Sequence, residues 1–90
     1  MSMQTAADVP LNIVSDNSRS ERRINPSWTI THLKERLEPI TGLPSSSQRL
    51  TLNLGGSQSL VVISALDEET TQLSQFPLRP YAELNVGALA

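Results

Sequence analysis

The side chains of this 90-residue chain that could do chemistry are few and poorly spaced for it. Nucleophilic catalysis needs an activated serine, cysteine or lysine beside a base that is itself held in orientation. Cysteine is absent, and the single histidine, His32, falls on a helix face predicted to point to solvent. A serine and a carboxylate would have to reach His32 across that outer face, so it reads as a surface residue and no catalytic residue is assigned. Asp67, Glu68 and Glu69 are contiguous, without the alternating oxygen ligands or the glycine of a calcium loop. Zinc held by cysteine and histidine is excluded by the same composition, and neither a metal nor a cofactor is expected. Seven basic against nine acidic side chains give a formal net charge of -2. That is too little of either sign for phosphate-backbone binding, so nucleic acid is not an expected partner. The longest uncharged apolar run, Leu60 to Ile63, is far shorter than the roughly 20 residues that span a bilayer, and Met1 to Pro10 lacks the basic and apolar regions of a secretion signal. The expectation is a soluble, cytoplasmic protein that does not engage a membrane.

What remains is binding to other proteins, and two stretches could carry it. Leu60-Val61-Val62-Ile63 is apolar at every position, so a strand there shows apolar groups on both faces and, at a sheet edge, could pair with another chain. The competing assignment is extra core. Trp28, with Arg22 and Arg23, has the residue types enriched at binding hot spots. Against it stands a local role, with Trp28 stapled to Leu33 and the two arginines solvated.

These residues need elements to position them. Residues 1–8 are small and polar with no period and read as a disordered tail, residues 9–87 as one domain, and residues 88–90 as a frayed end. Val9, Leu11 and Ile13 alternate as in a half-buried strand, Ser15 to Ser20 forms a turn, and ERRI can return antiparallel with Ile24 as its apolar anchor. Ile30, Leu33, Leu37 and Ile40 recur at spacings of three and four and form one helical stripe, with His32, Glu35 and Arg36 facing away. Thr29 is placed as N-cap and Gly42 as the left-handed C′ residue, with Pro44 barring continuation. Pro39 conflicts with that pattern and predicts a bent or loosened last turn. Leu50, Leu52 and Leu54 alternate in a third strand, which Gly55-Gly56 joins by a tight turn to Ser57 to Ile63. Leu73, Phe76 and Leu78 suit a short 3₁₀ turn and a loop pinned to the core, and Tyr81 to Val86 reads as the last strand. One amphipathic helix is thus available to cover one face of a mixed sheet, an α+β arrangement.

That order resembles the β-grasp, and "INPSWTITHLKERLEPITGLPSSSQRL" resembles the segment of ubiquitin that runs from the second strand through the helix into the third strand. It shares the Pro-Ser-x-Thr-Ile opening, a mid-helix lysine, Gly-Leu-Pro and Gln-Arg-Leu. "LSQFPLRPYAELNV" is similar to the turn that leads into ubiquitin's last strand. Among ubiquitin-like families, "LNIVSD", "SERRI" and "FPLRPYAELNV" look like the N-terminal domain of the tubulin-folding cofactor B family. The resemblance implies a ubiquitin-like β-grasp with four to five strands on one helix. It further implies a protein-interaction domain of a cytoskeleton-associated chaperone that assists α-tubulin folding and microtubule biogenesis. Members of that family carry a glycine-rich microtubule-binding domain (CAP-Gly) beyond a helical linker, which these residues do not contain. Its implied partners are α-tubulin or other tubulin-folding cofactors, reached through the full-length protein, with the domain itself a monomer. Alternatives are an adaptor domain of cofactor E or of a proteasome-associated factor, or a free modifier.

A ubiquitin-type modifier requires an extended Gly-Gly tail, whereas this chain reads NVGALA with one glycine, Gly87, so conjugation is not expected. Lys34, the only lysine, lies about 40° around the helix from Ile30, beside the buried stripe. By analogy with ubiquitin it is expected to pair with Glu68 or Glu69. The positions that correspond to ubiquitin's apolar receptor patch are Thr51, Asn85 and Gly87, so docking of receptors through that face is not expected.

Overall fold

The computed structural model describes residues 8–16, 18–55 and 60–89. Alternation builds the first strand, β1 (Val9–Val14), whose Leu11 and Ile13 are fully buried. β2 (Arg19–Ile24) pairs with it antiparallel over its whole length, from Val9 opposite Ile24 to Val14 opposite Arg19. Ile24 is the one buried residue of β2, so this charged segment is a strand by virtue of its partner and the turn before it. The Ser15 amide donates to the Ser18 carbonyl at 2.9 Å, and the two hydroxyls lie 2.8 Å apart.

The helix α1 (Ile30–Thr41) has the caps its ends call for. Thr29 Oγ1 accepts the His32 amide at 3.1 Å, and Gly42, at φ 77°, donates its amide to the Glu38 carbonyl. Pro39 does not end the helix, which continues to Thr41, where Oγ1 donates to the Leu37 carbonyl at 3.0 Å. Ile30, Leu33 and Leu37 are buried on the sheet, while Ile40 sits half-buried at the margin of the core.

β3 (Gln48–Asn53) and β4 (Leu60–Ile63) form an antiparallel pair in which Leu50 faces Ile63 and Asn53 faces Leu60. Of the turn between them, Gly55 has φ 92° and donates its amide to Asn53 Oδ1; the tight turn expected at Gly55-Gly56 and the start of the strand at Ser57 otherwise lie outside the described residues. β5 (Glu83–Ala88) lies between β1, which it parallels, and β3, which it opposes. The sheet order is β2-β1-β5-β3-β4, five strands with one helix on one face, the mixed β-grasp expected of the sequence. Short 3₁₀ turns occupy Ser45–Ser47 and Leu73–Gln75.

Two ends differ from the expectation. β5 starts at Glu83 rather than Tyr81, because Tyr81 has φ 68°, in the left-handed region where an extended run cannot continue. At the other end Ala88 pairs opposite Gln48 and the Leu89 amide donates to the Ser47 carbonyl at 2.8 Å, so the sheet holds residues expected to fray. The tail expected over 1–8 falls outside the described residues except for Asp8, which is exposed.

Candidate protein-binding edges of the sheet

A sheet with this strand order exposes two edges, and each carries one of the two stretches singled out from the sequence. At the first edge, β2 and α1 are separated by a cleft of about 570 Å³. Ile24, Leu37 and Ile40 contribute its apolar walls, and Arg22, Arg23 and Arg36 its charge. Arg22 and Arg23 are consecutive on the strand, so they project to opposite faces and bracket its free edge. Arg22 shares the face of Leu11, its register partner, and Arg23 that of Pro10.

Trp28 closes one end of the cleft and is held there by its backbone. Its amide donates to Asn25 at 3.0 Å, and its carbonyl accepts the Leu73 amide at 2.8 Å. The loop after β4 thus laces the strand-to-helix connection, with Ser74 bonded to Pro26 and Ile30 to Thr71. The indole stacks on His32 with ring centroids 4.7 Å apart, and the Arg36 guanidinium lies 5.3 Å from the indole centroid. Trp28 packs half-buried against the core cluster that includes Leu33, and its outer side engages His32 by stacking and Arg36 by its guanidinium. The sequence expectation for Arg36 is only that it faces away from the buried stripe, although Trp28, His32 and Arg36 are spaced four apart and that spacing places them in one column. Ion pairs among the described residues join Arg19 to Glu83 and Lys34 to Glu68, so none of the three cleft arginines has a carboxylate partner there.

At the second edge, β4 resolves the ambiguity of an all-apolar strand. Ile63 is buried and Val61 packs against the core, so half of the run is core. Leu60 and Val62 point the other way, 63% and 49% exposed, beside Asn53 and Thr51 of β3. Nearby, Lys34 Nζ donates to Glu68 Oε1 at 2.8 Å, the pairing expected for this lysine. Gln48, fully buried, holds this end together through Nε2, which donates to the carbonyls of Lys34 at 2.8 Å and Leu43 at 3.0 Å. The face of the sheet away from α1 carries Thr51 directly opposite Asn85, and Gly87 opposite Arg49, so the positions of a ubiquitin receptor patch lack apolar side chains, and the exposed Leu60 and Val62 flank them at the edge of that face.

A match to the ubiquitin-like domain family extends over residues 8–88. The cell polarity protein alp11 of Schizosaccharomyces pombe is 37% identical over 79 residues, covering 88% of this chain and 34% of alp11, so the chain spans about a third of that relative's length. The C-terminal ubiquitin-like domain of mouse tubulin-specific chaperone e is similar with a TM-score of 0.76 at 17% identity, covering 99% of this chain and 94% of that one. The N-terminal ubiquitin-like domain of tubulin-binding cofactor B from Drosophila melanogaster gives a TM-score of 0.68 at 17% identity, over 92% and 86% of the two chains. Tubulin-binding cofactor B from Trypanosoma brucei gives 0.70 at 21%, over 93% and 98%. At these identities the solved structures speak for the fold. Among the described residues, no helix is long and apolar enough to cross a membrane.

Proposed function

The chain belongs to the ubiquitin-like domain family, and on that premise we propose that it is a non-conjugated recognition domain of a tubulin-folding cofactor of the B type. It acts by binding protein partners in α-tubulin folding and microtubule biogenesis in the cytoplasm, as a monomer, and catalyses no reaction. The observation that carries this reading is the resemblance of "LNIVSD", "SERRI" and "FPLRPYAELNV" to the tubulin-folding cofactor B family. The relation to the cell polarity protein alp11, 37% identical over 88% of this chain, supports it. The non-conjugated assignment is supported by β5: Gly87 and Ala88 are paired in the sheet opposite Arg49 and Gln48, where a modifier needs a free, thin glycine tail. The lack of apolar side chains at Thr51, Asn85 and Gly87 favours recognition through a sheet edge, at Trp28, Arg22 and Arg23 or at Leu60 to Ile63, over the centre of the face that ubiquitin receptors use.

The test is replacement of the matching third of alp11 by residues 8–88 of this chain in fission yeast. Cell polarity is expected to be preserved. A chimera indistinguishable from alp11 lacking that segment would overturn the reading.

A further inference from the structure

We infer that the cleft between β2 and α1 binds an extended acidic peptide segment of a partner protein, which adds as a sixth strand to the free edge of β2. Three observations converge on it. β2 is terminal in the five-stranded sheet, and among the described residues nothing pairs with its outer side, so its outward backbone groups are available to another strand. The cleft runs beside that edge with apolar walls at Ile24, Leu37 and Ile40, where alternate side chains of an added strand can be buried. Arg22, Arg23 and Arg36 line it against a single acid, Glu35, and among the described residues none of the three has a carboxylate partner.

Charge selects the occupant. Guanidinium groups bind carboxylates through paired hydrogen bonds, and here they stand on both faces of the strand edge. An added strand with acids on either side of aliphatic anchors meets Arg22 and Arg36 on the helix side and Arg23 on the other. Six residues, the length of β2, set the length of the segment recognised. The indole of Trp28, with Arg36 already over its ring, closes the end of the cleft and fixes the guanidinium in place. The apolar edge at β4 lacks this argument, since its exposed Leu60 and Val62 carry no charge that selects a partner.

This inference rests on the reading of the chain as a recognition domain, and its test fails separately from that of the reading, since the alp11 chimera can succeed whether or not this peptide binds. The probe is a capped synthetic hexapeptide, Glu-Asp-Ile-Glu-Val-Asp, whose first, third and fifth side chains (Glu, Ile, Val) face the helix side and whose other three, all acidic, face the Arg23 side; it is titrated into the isotopically labelled 90-residue chain and followed by NMR. The expected result is shifts at the amides of Ser20 to Ile24 and at the Trp28 indole, with affinity falling about tenfold between low and high salt. Exchange of Arg22 and Arg36 for Glu (R22E with R36E) is expected to abolish binding while leaving the rest of the amide spectrum in place. A hexapeptide with lysine at every acidic position should not bind. Equal binding of the lysine peptide, shifts confined to Leu60 to Ile63, absence of any shift, or concentration-dependent shifts at β2 without peptide, which would make a second copy the occupant, would each overturn the proposal.

Discussion

Gln48 illustrates what one buried polar side chain does in a domain with so small a core. It is fully buried, and its amide nitrogen satisfies a helix carbonyl at Lys34 and a loop carbonyl at Leu43, joining α1 to the start of β3. Its Oε1 has no partner among the described residues, which offsets part of that gain. Gln48→Leu keeps the volume but strips both carbonyls of their donor, so the expected loss is about 1 to 2 kcal/mol, read from the urea midpoint at unchanged m-value. Gln48 was visible in the sequence as part of a Gln-Arg-Leu motif, yet not as an anchor, because its partners lie 14 and 5 residues away and only packing brings them near. The Lys34–Glu68 pair spans 34 residues in the chain and was legible only through the resemblance to ubiquitin. The arginine pair at 22 and 23 was legible as a hot-spot composition, but Arg36, which completes it, needed the helix to be placed against β2.

Among the elements, α1 was the most legible because every signal for it is local. Its stripe, its threonine N-cap and its glycine C′ residue lie within Thr29 to Gly42, and each was found where the spacing put it. Thr29→Ala removes the acceptor for the His32 amide and is expected to cost about 1 kcal/mol, seen in a thermal melt as a drop of roughly 4 to 8 °C. The β-elements were legible in proportion to their alternation. β1 and β3 stood out, while β2 carries a single buried residue and is held as a strand by its six register pairs with β1. β5 shows the limit from the other side, since no pattern of apolar residues announces that Tyr81 adopts a positive φ and delays the strand by two residues. Pro39 shows it again: it lies in the last turn, where the helix continues to Thr41 despite the lost hydrogen bond.

For the molecule as a whole, size sets the margin. Stability of about 0.05 to 0.15 kcal/mol per residue leaves a domain of 90 residues only some 5 to 13 kcal/mol from unfolding. Leu33 is fully buried at the centre of the helix stripe, packed into the cluster that includes Leu11, Leu50 and Leu84. Leu33→Ala is therefore expected to cost about 2 to 5 kcal/mol, a large share of the total, and to lower the melting temperature by about 8 °C or more by circular dichroism. An unchanged melting temperature would mean that the helix does not dock on the sheet through this stripe. Both candidate binding surfaces lie at the ends of the sheet, away from this cluster, so their exposed residues can vary at little cost to the fold.

Patterns confined to a few consecutive residues were enough to establish the α+β class and the helix with both caps, because periodicity and capping act over one or two turns. Strand order was beyond their reach. That β2 and β4 stand at the edges, that α1 leaves a cleft beside β2, and that Leu60 and Val62 face outward while Ile63 joins the core follow from which strands pair and in what register. Those pairings join residues far apart in the chain, and the free energy that selects them comes from burying all the apolar faces at once, a quantity no single segment contains.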